Sequence, residues 1–272
     1  MLSWIIVQRE YGQLGNRLHT QANLLAFCIE NRINLFNLSF SEYAKLFQGK
    51  DGHRPDLWIS KRDVLSFVVN LRWIESFLKK VSRSDKWLRR LSPWITVHSL
   101  NDEEAISSIG LKDVAAVSQS CRILVLRSWN ISCPDEIENQ DEEVKSILKP
   151  VVSFRNKAES FVGNLRREFD TLVGVHARRG DYKNYMQGKF FYSWEQYASW
   201  IRQAHEVLQS DRAKVGFLIC SDENSPTNLM QDLSAYQKKS QNPIEDLHSL
   251  SLCDYLMGPP SSFGTWASWH GD

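Results

Sequence analysis

The chain has 272 residues, and its 33 basic side chains all but cancel its 32 acidic ones, leaving a formal net charge of +1. That balance excludes a broadly basic nucleic-acid binder, so any anion-binding site has to be local. With 42% hydrophobic and 24% charged residues, the composition is that of a globular chain able to bury a core without staples, and its length suits two domains or one large one.

No run of about 18 apolar residues occurs, so no membrane-spanning helix is expected. The opening LSWIIVQRE is too short for the apolar stretch of a secretion signal and has no basic segment ahead of it. Cys28, Cys121, Cys133, Cys220 and Cys253 show no C-x-x-C spacing, are odd in number and mostly adjoin apolar runs. Buried reduced thiols are expected rather than a disulfide framework. These features predict a soluble, cytoplasmic protein. The glycosylation sequons at Asn37 and Asn130 match a pattern that is common by chance.

In chain order, the first expected element is a strand over residues 4–7. It leads into YGQLGNRL (11–18) and then a helix with Leu18, Ala22, Leu25 and Ile29 at helical spacing. Gly12 and Gly15 permit a tight turn and Asn16 can cap the helix. Such a strand–glycine loop–helix presents backbone N–H groups to an anion, although it also serves as a plain connecting turn. Further strands are expected at 33–38 and 122–126. Residues 50–120 are less regular and mix Trp58, Trp73, Trp87 and Trp94 with basic clusters. The acidic stretch 134–143 reads as a loop, and 143–170 as helical apart from Pro150, with a domain boundary near residue 150.

A strand at 172–175 ends in GVHARRGDY. Ligands of open α/β sheets bind at the C-terminal edge of the strands, and arginine offers a rigid fork that matches phosphate oxygens. Alternation along the chain puts His176 and Arg178 on one face and Ala177 and Arg179 on the other, so one arginine meets ligand and the other is structural. Asp181 can orient an arginine. The embedded Arg-Gly-Asp would serve adhesion only if exposed outside the cell. Ser193 and Gln196 form a capping box for a helix carrying Trp194, Tyr197, Ala198, Ile201, Ala204 and Leu208. The strand at 215–220 ends in Ser221, Asp222 and Glu223; Asp222 either accepts from a nucleoside or caps a turn. In the last segment, Leu247, Leu250 and Tyr255 frame an apolar stretch that Gly258-Pro259-Pro260 breaks. Ser261 and Ser262 then open a helix with Phe263, Trp266 and Trp269, offering either a phosphate site or ordinary capping. Strands alternating with helices predict α/β with parallel sheets.

The chain contains no Asp-x-Asp, no H-x-x-x-H, no G-x-S-x-G and no P-loop. No metal site is expected, and a diphosphate would have to be held by Arg, Ser and backbone N–H groups.

Three stretches, in this order, resemble one family. HARRGDY is similar to the H-x-R-R-G-D motif of GDP-fucose-dependent α-1,2-type fucosyltransferases and their α-1,6 and protein O-fucosyltransferase relatives. YGQLGNRL resembles their G-x-L-G-N-[QR] loop, and the segment from Glu245 to Trp269 resembles their D-[LM]-x-L-M-S-x-C … S-[ST]-F-S-x-W-[AG] block. The resemblance implies a GT-B-like fold of two Rossmann-like domains facing a cleft. Residues 1–150 would form the acceptor side and 151–272 the GDP-sugar side. It implies inverting, metal-independent transfer of fucose from GDP-fucose to a glycan hydroxyl, with no cofactor beyond the donor. Arg178 would stabilise the leaving GDP and His176 would contact ribose or diphosphate. Arg179 and Asp181 would support their loop, and Ser261, Ser262 and Phe263 would line the phosphate pocket. Asp222 or Asp246 would meet guanosine, and Gly12, Gly15, Asn16 and Arg17 would form the N-terminal substrate loop. No residue is assigned as the base.

The sequence departs from the family at Gly264, where a hydroxyl is expected, and at YMQGKFF (185–191). Related enzymes also continue beyond the point matching Asp272. Another nucleotide sugar as donor, or a silent GDP- or glycan-binding module, are the alternative readings.

Overall fold

The computed structural model describes residues 2–8, 12–50, 54–60, 95–99, 106–107, 110–113, 122–128, 130–209, 213–226, 231–238 and 242–271. Tyr11, Trp73, Trp87, Trp94 and Cys121 lie outside them. The chain divides into two compact units, Met1–Lys149 and Pro150–Asp272.

In the first unit, β1 (Trp4–Val7) feeds α1 (Leu14–Asn31), followed by β2 (Asn34–Asn37) and β3 (Leu57–Trp58). Then come β4 (Ile95–Ser99), β5 (Ile106–Ser107), β6 (Ile123–Arg127), β7 (Ile131–Ser132), α2 (Pro134–Asn139) and α3 (Asp141–Ile147). The main sheet has the order β3-β2-β1-β6-β4 and is parallel except for β3. Ile5, Val7, Leu35, Leu124 and Leu126 are fully buried in it. α1 is buried on nearly every side from Thr20 to Cys28, so its polar residues need internal partners. Gln21 donates to the carbonyl of Pro55 and accepts from Asn37 Nδ2, and Asn23 Oδ1 accepts from the amide of Cys133. Asn37 is therefore fully buried and hydrogen-bonded, out of reach of glycosylation.

The stretch expected as a loop at 134–143 is instead two short helices, α2 and α3. Its acidity favours this. Pro134 occupies the first helical position, and Asp135, Glu136, Asp141, Glu142 and Glu143 lie in first turns, where the positive end of the helix dipole attracts carboxylates. Residues 148–151 then interrupt the helical stretch expected across 143–170.

The second unit begins with α4 (Val152–Leu165) and β8 (Thr171–Ala177). It continues through α5 (Trp194–Leu208), β9 (Val215–Ser221), β10 (Ala235–Gln237), α6 (Pro243–Ser251), β11 (Tyr255–Met257) and α7 (Ser262–His270). Its four strands are all parallel, in the order β10-β9-β8-β11. β8 and β9 are buried along almost their whole length, as parallel strands covered on both faces must be. On one face Val173, Val175, Ala177, Phe217 and Ile219 pack with Trp194, Tyr197, Ala198 and Ile201 of α5. On the other, Gly174 lies close under Leu250 and Leu256. The expected capping box closes the start of α5: Ser193 Oγ accepts from the Gln196 amide, and Gln196 Oε1 accepts from the Ser193 amide. Tyr255, expected within an apolar frame, is 54% exposed on edge strand β11. Arg166 grips Asp254 through two hydrogen bonds of 2.6 and 2.8 Å, and Asp254 also accepts from the Leu172 amide, tying α4 and β11 to the start of β8. Cys28, Cys133 and Cys220 are buried free thiols and Cys253 is a half-buried one.

Candidate active site

β8 ends at Ala177, so the basic residues of HARRGDY leave the sheet at its C-terminal edge. The chain alternates as expected. Ala177 packs with Trp194, and the Arg179 guanidinium lies 5.2 Å from the Trp194 ring and 4.6 Å from that of Phe191. Arg179 also donates to Glu223 (2.8 Å) and to the carbonyl of Tyr192. It is the structural arginine, turned inward, which removes it from any adhesive display of the Arg-Gly-Asp tripeptide.

His176 and Arg178 face the other way. The His176 ring stacks on Phe263 at 4.9 Å between centroids, and its Nδ1 lies 3.3 Å from Ser261 Oγ. Arg178 donates to both carboxylate oxygens of Asp181, at 2.9 and 2.6 Å, and its guanidinium sits 5.0 Å from the Tyr182 ring. The Tyr182 hydroxyl donates to the carbonyl of Pro260 at 3.1 Å. Tyr182 thus fastens the HARRGD loop to the Gly258-Pro259-Pro260 turn. It sits beside Asp181 in the motif, but its partner is 78 residues away, so sequence carried no signal for this role.

Asp222, at the end of β9, accepts from the amides of Arg179 and Gly180, both at 2.9 Å. Its carboxylate therefore fixes the backbone of the preceding strand's loop rather than the turn that follows it. Asp246 lies on α6, beside Cys220 of β9. Its carbonyl is 3.9 Å from Cys220 Sγ, and its carboxylate helps keep the buried Lys238 ammonium charged against the burial that pulls the Lys238 pKa down. Ser261 is the N-cap of α7 and accepts from the Gly264 amide at 3.0 Å. Ser262 is the first residue of that helix. A side chain at Gly264 would meet Ser261 Oγ at 3.3 Å, and Thr265 Oγ1 bonds back to the Ser261 carbonyl.

A pocket of about 460 Å³ opens beside this cluster, lined by His176, Met257, Gly258, Ser261, Thr265 and Trp269 among others. Its size is in the range of small-molecule sites. Trp266 is buried, while Trp269 helps to line the pocket.

Burial, followed by the neighbouring Arg178 charge, pushes the His176 pKa down from 6.5 to about 4, with Asp222 opposing. The ring is neutral at pH 7. If Ser261 donates to Nδ1, Nε2 carries the proton as a donor. Between pH 6.5 and 4 the unfolded chain binds a proton at this position that the folded chain refuses, so stability falls as pH drops through that window. The loss attributable to His176 is on the order of 3 kcal/mol. Urea unfolding of wild type and His176→Gln at pH 7, 5.5 and 4 should show the wild type losing more stability; parallel pH profiles would remove His176 as the cause.

In the first unit, the N-cap expected at Asn16 is Gln13, three residues earlier, so Gly15 and Asn16 lie inside α1. Asn16 is therefore not the cap. The turn is made by Gly12, whose φ of 64° favours glycine and where a Cβ would meet the Asn16 side chain at 2.2 Å. Arg17 donates to the carbonyls of Gly12 and Ser39, pairs with Glu42 at 2.6 Å and covers the Tyr43 ring. It holds the segment after β2.

Among the described residues no group of three His, Cys, Asp or Glu side chains is placed to hold a metal ion, and no helix is long and apolar enough to cross a membrane.

Residues 141–270 match the family model Glycosyl transferase family 11. A galactoside alpha-(1,2)-fucosyltransferase 1 from Plecturocebus brunneus is 27% identical over 142 residues, which is 47% of this chain and 38% of that relative. The chain thus matches well under half the length of such relatives. Among solved structures, an Arabidopsis thaliana FUT1 mutant in complex with GDP is similar over all of this chain and 69% of its own, with a TM-score of 0.62 and 14% identity. The alpha-1,6-fucosyltransferase NodZ soaked with GDP-fucose is similar over all of this chain and 93% of its own, with a TM-score of 0.53 and 14% identity. The α/β fold with parallel sheets is shared with these structures, and the match to the family model takes in HARRGDY and the Glu245–Trp269 block.

Proposed function

We propose that this chain is a glycosyltransferase that moves fucose from GDP-fucose to a glycan hydroxyl, with inversion and without a metal ion, in a GT-B arrangement. The observation that carries the reading is the convergence of Arg178, His176 and the N-terminus of α7 on one strand edge, within the segment that matches the family model. Residues 150–272 hold the GDP-sugar and residues 1–149 shape the acceptor side, through the Gly12 turn and the first turn of α1 with Gly15, Asn16 and Arg17.

In this reaction the acceptor oxygen bonds to the anomeric carbon and its hydroxyl proton is released, as the bond from that carbon to the β-phosphate oxygen breaks. Negative charge grows on the departing diphosphate. A guanidinium held in advance by Asp181 meets that charge without reorganising, which is where preorganised groups lower a barrier most. The Asp181 carboxylate is held by Nε and Nη2 of the fork. Neutral His176 adds a hydrogen bond to ribose or diphosphate, and Ser261, Ser262 and the dipole of α7 favour the phosphate. Phe263 sets the His176 ring.

Calorimetric titration with GDP, ADP and UDP tests the nucleotide site. Micromolar binding selective for GDP is expected, together with fucose transfer that persists in excess EDTA. No GDP binding would sink the reading, and activity abolished by EDTA and restored by a divalent cation would sink its metal-free form.

A further inference from the structure

Beyond HARRGD the chain forms a loop whose tip is exposed and apolar. Tyr185 and Met186 are adjacent and 51% and 55% exposed. Met186, Gln187 and Gly188 have φ values of 47°, 59° and 77°, a left-handed run that Met and Gln seldom adopt. The loop is nonetheless held. The amides of Lys189 and Phe191 donate to the carbonyls of Met186 and Gly188, and Arg179 pins its base at Phe191 and Tyr192. Backbone kept in an unfavourable conformation to present a side chain outward is a recurrent feature of ligand sites.

The tip continues a stack that begins at the diphosphate end of the site. The Arg178 guanidinium covers the buried Tyr182 ring, and Tyr185 lies 5.2 Å from that ring at an interplanar angle of 27°. Tyr182 cannot swing away, because its hydroxyl is bonded to Pro260. Tyr185 is therefore joined through the Tyr182 ring to the arginine assigned to the leaving group.

We propose that Tyr185 is the platform on which the acceptor sugar rests, an inference that depends on the fucosyl-transfer reading above. The donor sugar is bonded to the diphosphate, so the acceptor ring has to lie about one sugar further out, and Tyr185 is the exposed ring next to the one that Arg178 covers. A sugar ring has an apolar C–H face and a polar hydroxyl edge. A tyrosine with a half-exposed ring and a polar tip is complementary to both. Met186 beside it supplies an adaptable apolar edge. Tyr185 thereby acts in acceptor binding and leaves nucleotide binding to the strand edge.

The test uses a printed array of galactose-, glucose- and N-acetylglucosamine-terminated oligosaccharides, probed with the full chain in saturating GDP. Wild type, Tyr185→Ala and Tyr185→Phe are compared, with GDP titration of each as a separate arm. The expected result is binding to one glycan class, weakened roughly tenfold or more in Tyr185→Ala and retained in Tyr185→Phe, with GDP affinity unchanged. The proposal is overturned if wild type binds no glycan, if Tyr185→Ala binds as wild type does, or if Tyr185→Ala loses GDP in parallel, since the ring would then be a support for Arg178. Failure of wild type to bind GDP overturns the parent reading in its own arm, independently of the array.

Discussion

Arg178→Ala is expected to lower fucose transfer by two or more orders of magnitude, about the loss seen when one preorganised charge-stabilising donor is removed. The fold should survive it. The partner Asp181 is 48% exposed at its side chain, so the carboxylate left behind is solvated, and the ion pair contributes no more than about 1 kcal/mol to stability. Loss of the cation–π contact with Tyr182 adds a similarly small amount. Arg178→Lys keeps the charge but not the fork, and should fall between wild type and alanine. Steady-state rates with GDP-fucose, alongside thermal unfolding, check this. A folded Arg178→Ala enzyme within tenfold of wild-type turnover would be incompatible with the assigned role.

Gly258→Ala is expected to damage both stability and nucleotide binding. A Cβ at Gly258 would lie 2.5 Å from the carbonyl oxygen of His176 and 3.2 Å from its Cβ. The first of these is backbone in the middle of a parallel sheet, flanked by β9 and β11, and cannot rotate aside. The methyl group must push the ends of β8 and β11 apart, where His176, Ser261 and the pocket meet. Overpacking of this kind costs about 1–3 kcal/mol. GDP affinity should drop by about tenfold or more, since each 1.4 kcal/mol of lost contact is tenfold. Chemical denaturation and GDP titration of the same sample separate the two effects. Retention of both would mean that the strand ends tolerate displacement.

Much of the strand-edge site was legible in the sequence, because its signals are local. Alternation placed His176 and Arg178 opposite Ala177 and Arg179, and Ser193 with Gln196 announced the start of α5. What could not be read is what depends on distant partners. Asp222 was left open between nucleoside and turn, and its carboxylate is committed to amides 42 and 43 residues earlier. The His176–Phe263 stack and the Tyr182–Pro260 bond join residues that nothing in the local pattern connects. Asn16 failed as a cap because the N-cap of α1 is three residues earlier, at Gln13, and 134–143 failed as a loop because its acidic residues mark helix starts rather than a solvated turn. The paired sheets of α/β type were predictable from the alternation of apolar runs and helical patterns, though little of residues 50–120 could be placed by pattern.

The order of the strands in the second unit has a consequence for when the site can exist. β8 is laid down first, yet one of its neighbours, β11, and the helix that follows are synthesised only after α5, β9, β10 and α6. Ser261 is 85 residues downstream of His176, and Asp254 is 88 downstream of Arg166. A nascent chain emerging residue by residue can pair β8 with β9 and cover them with α5 well before it can form the pocket. Such distant pairings must close long loops before any contact rewards them, which slows folding. The candidate site is thus the late-assembling part of its unit, and a chain stalled before residue 261 would carry the HARRGD loop with the pocket wall still missing.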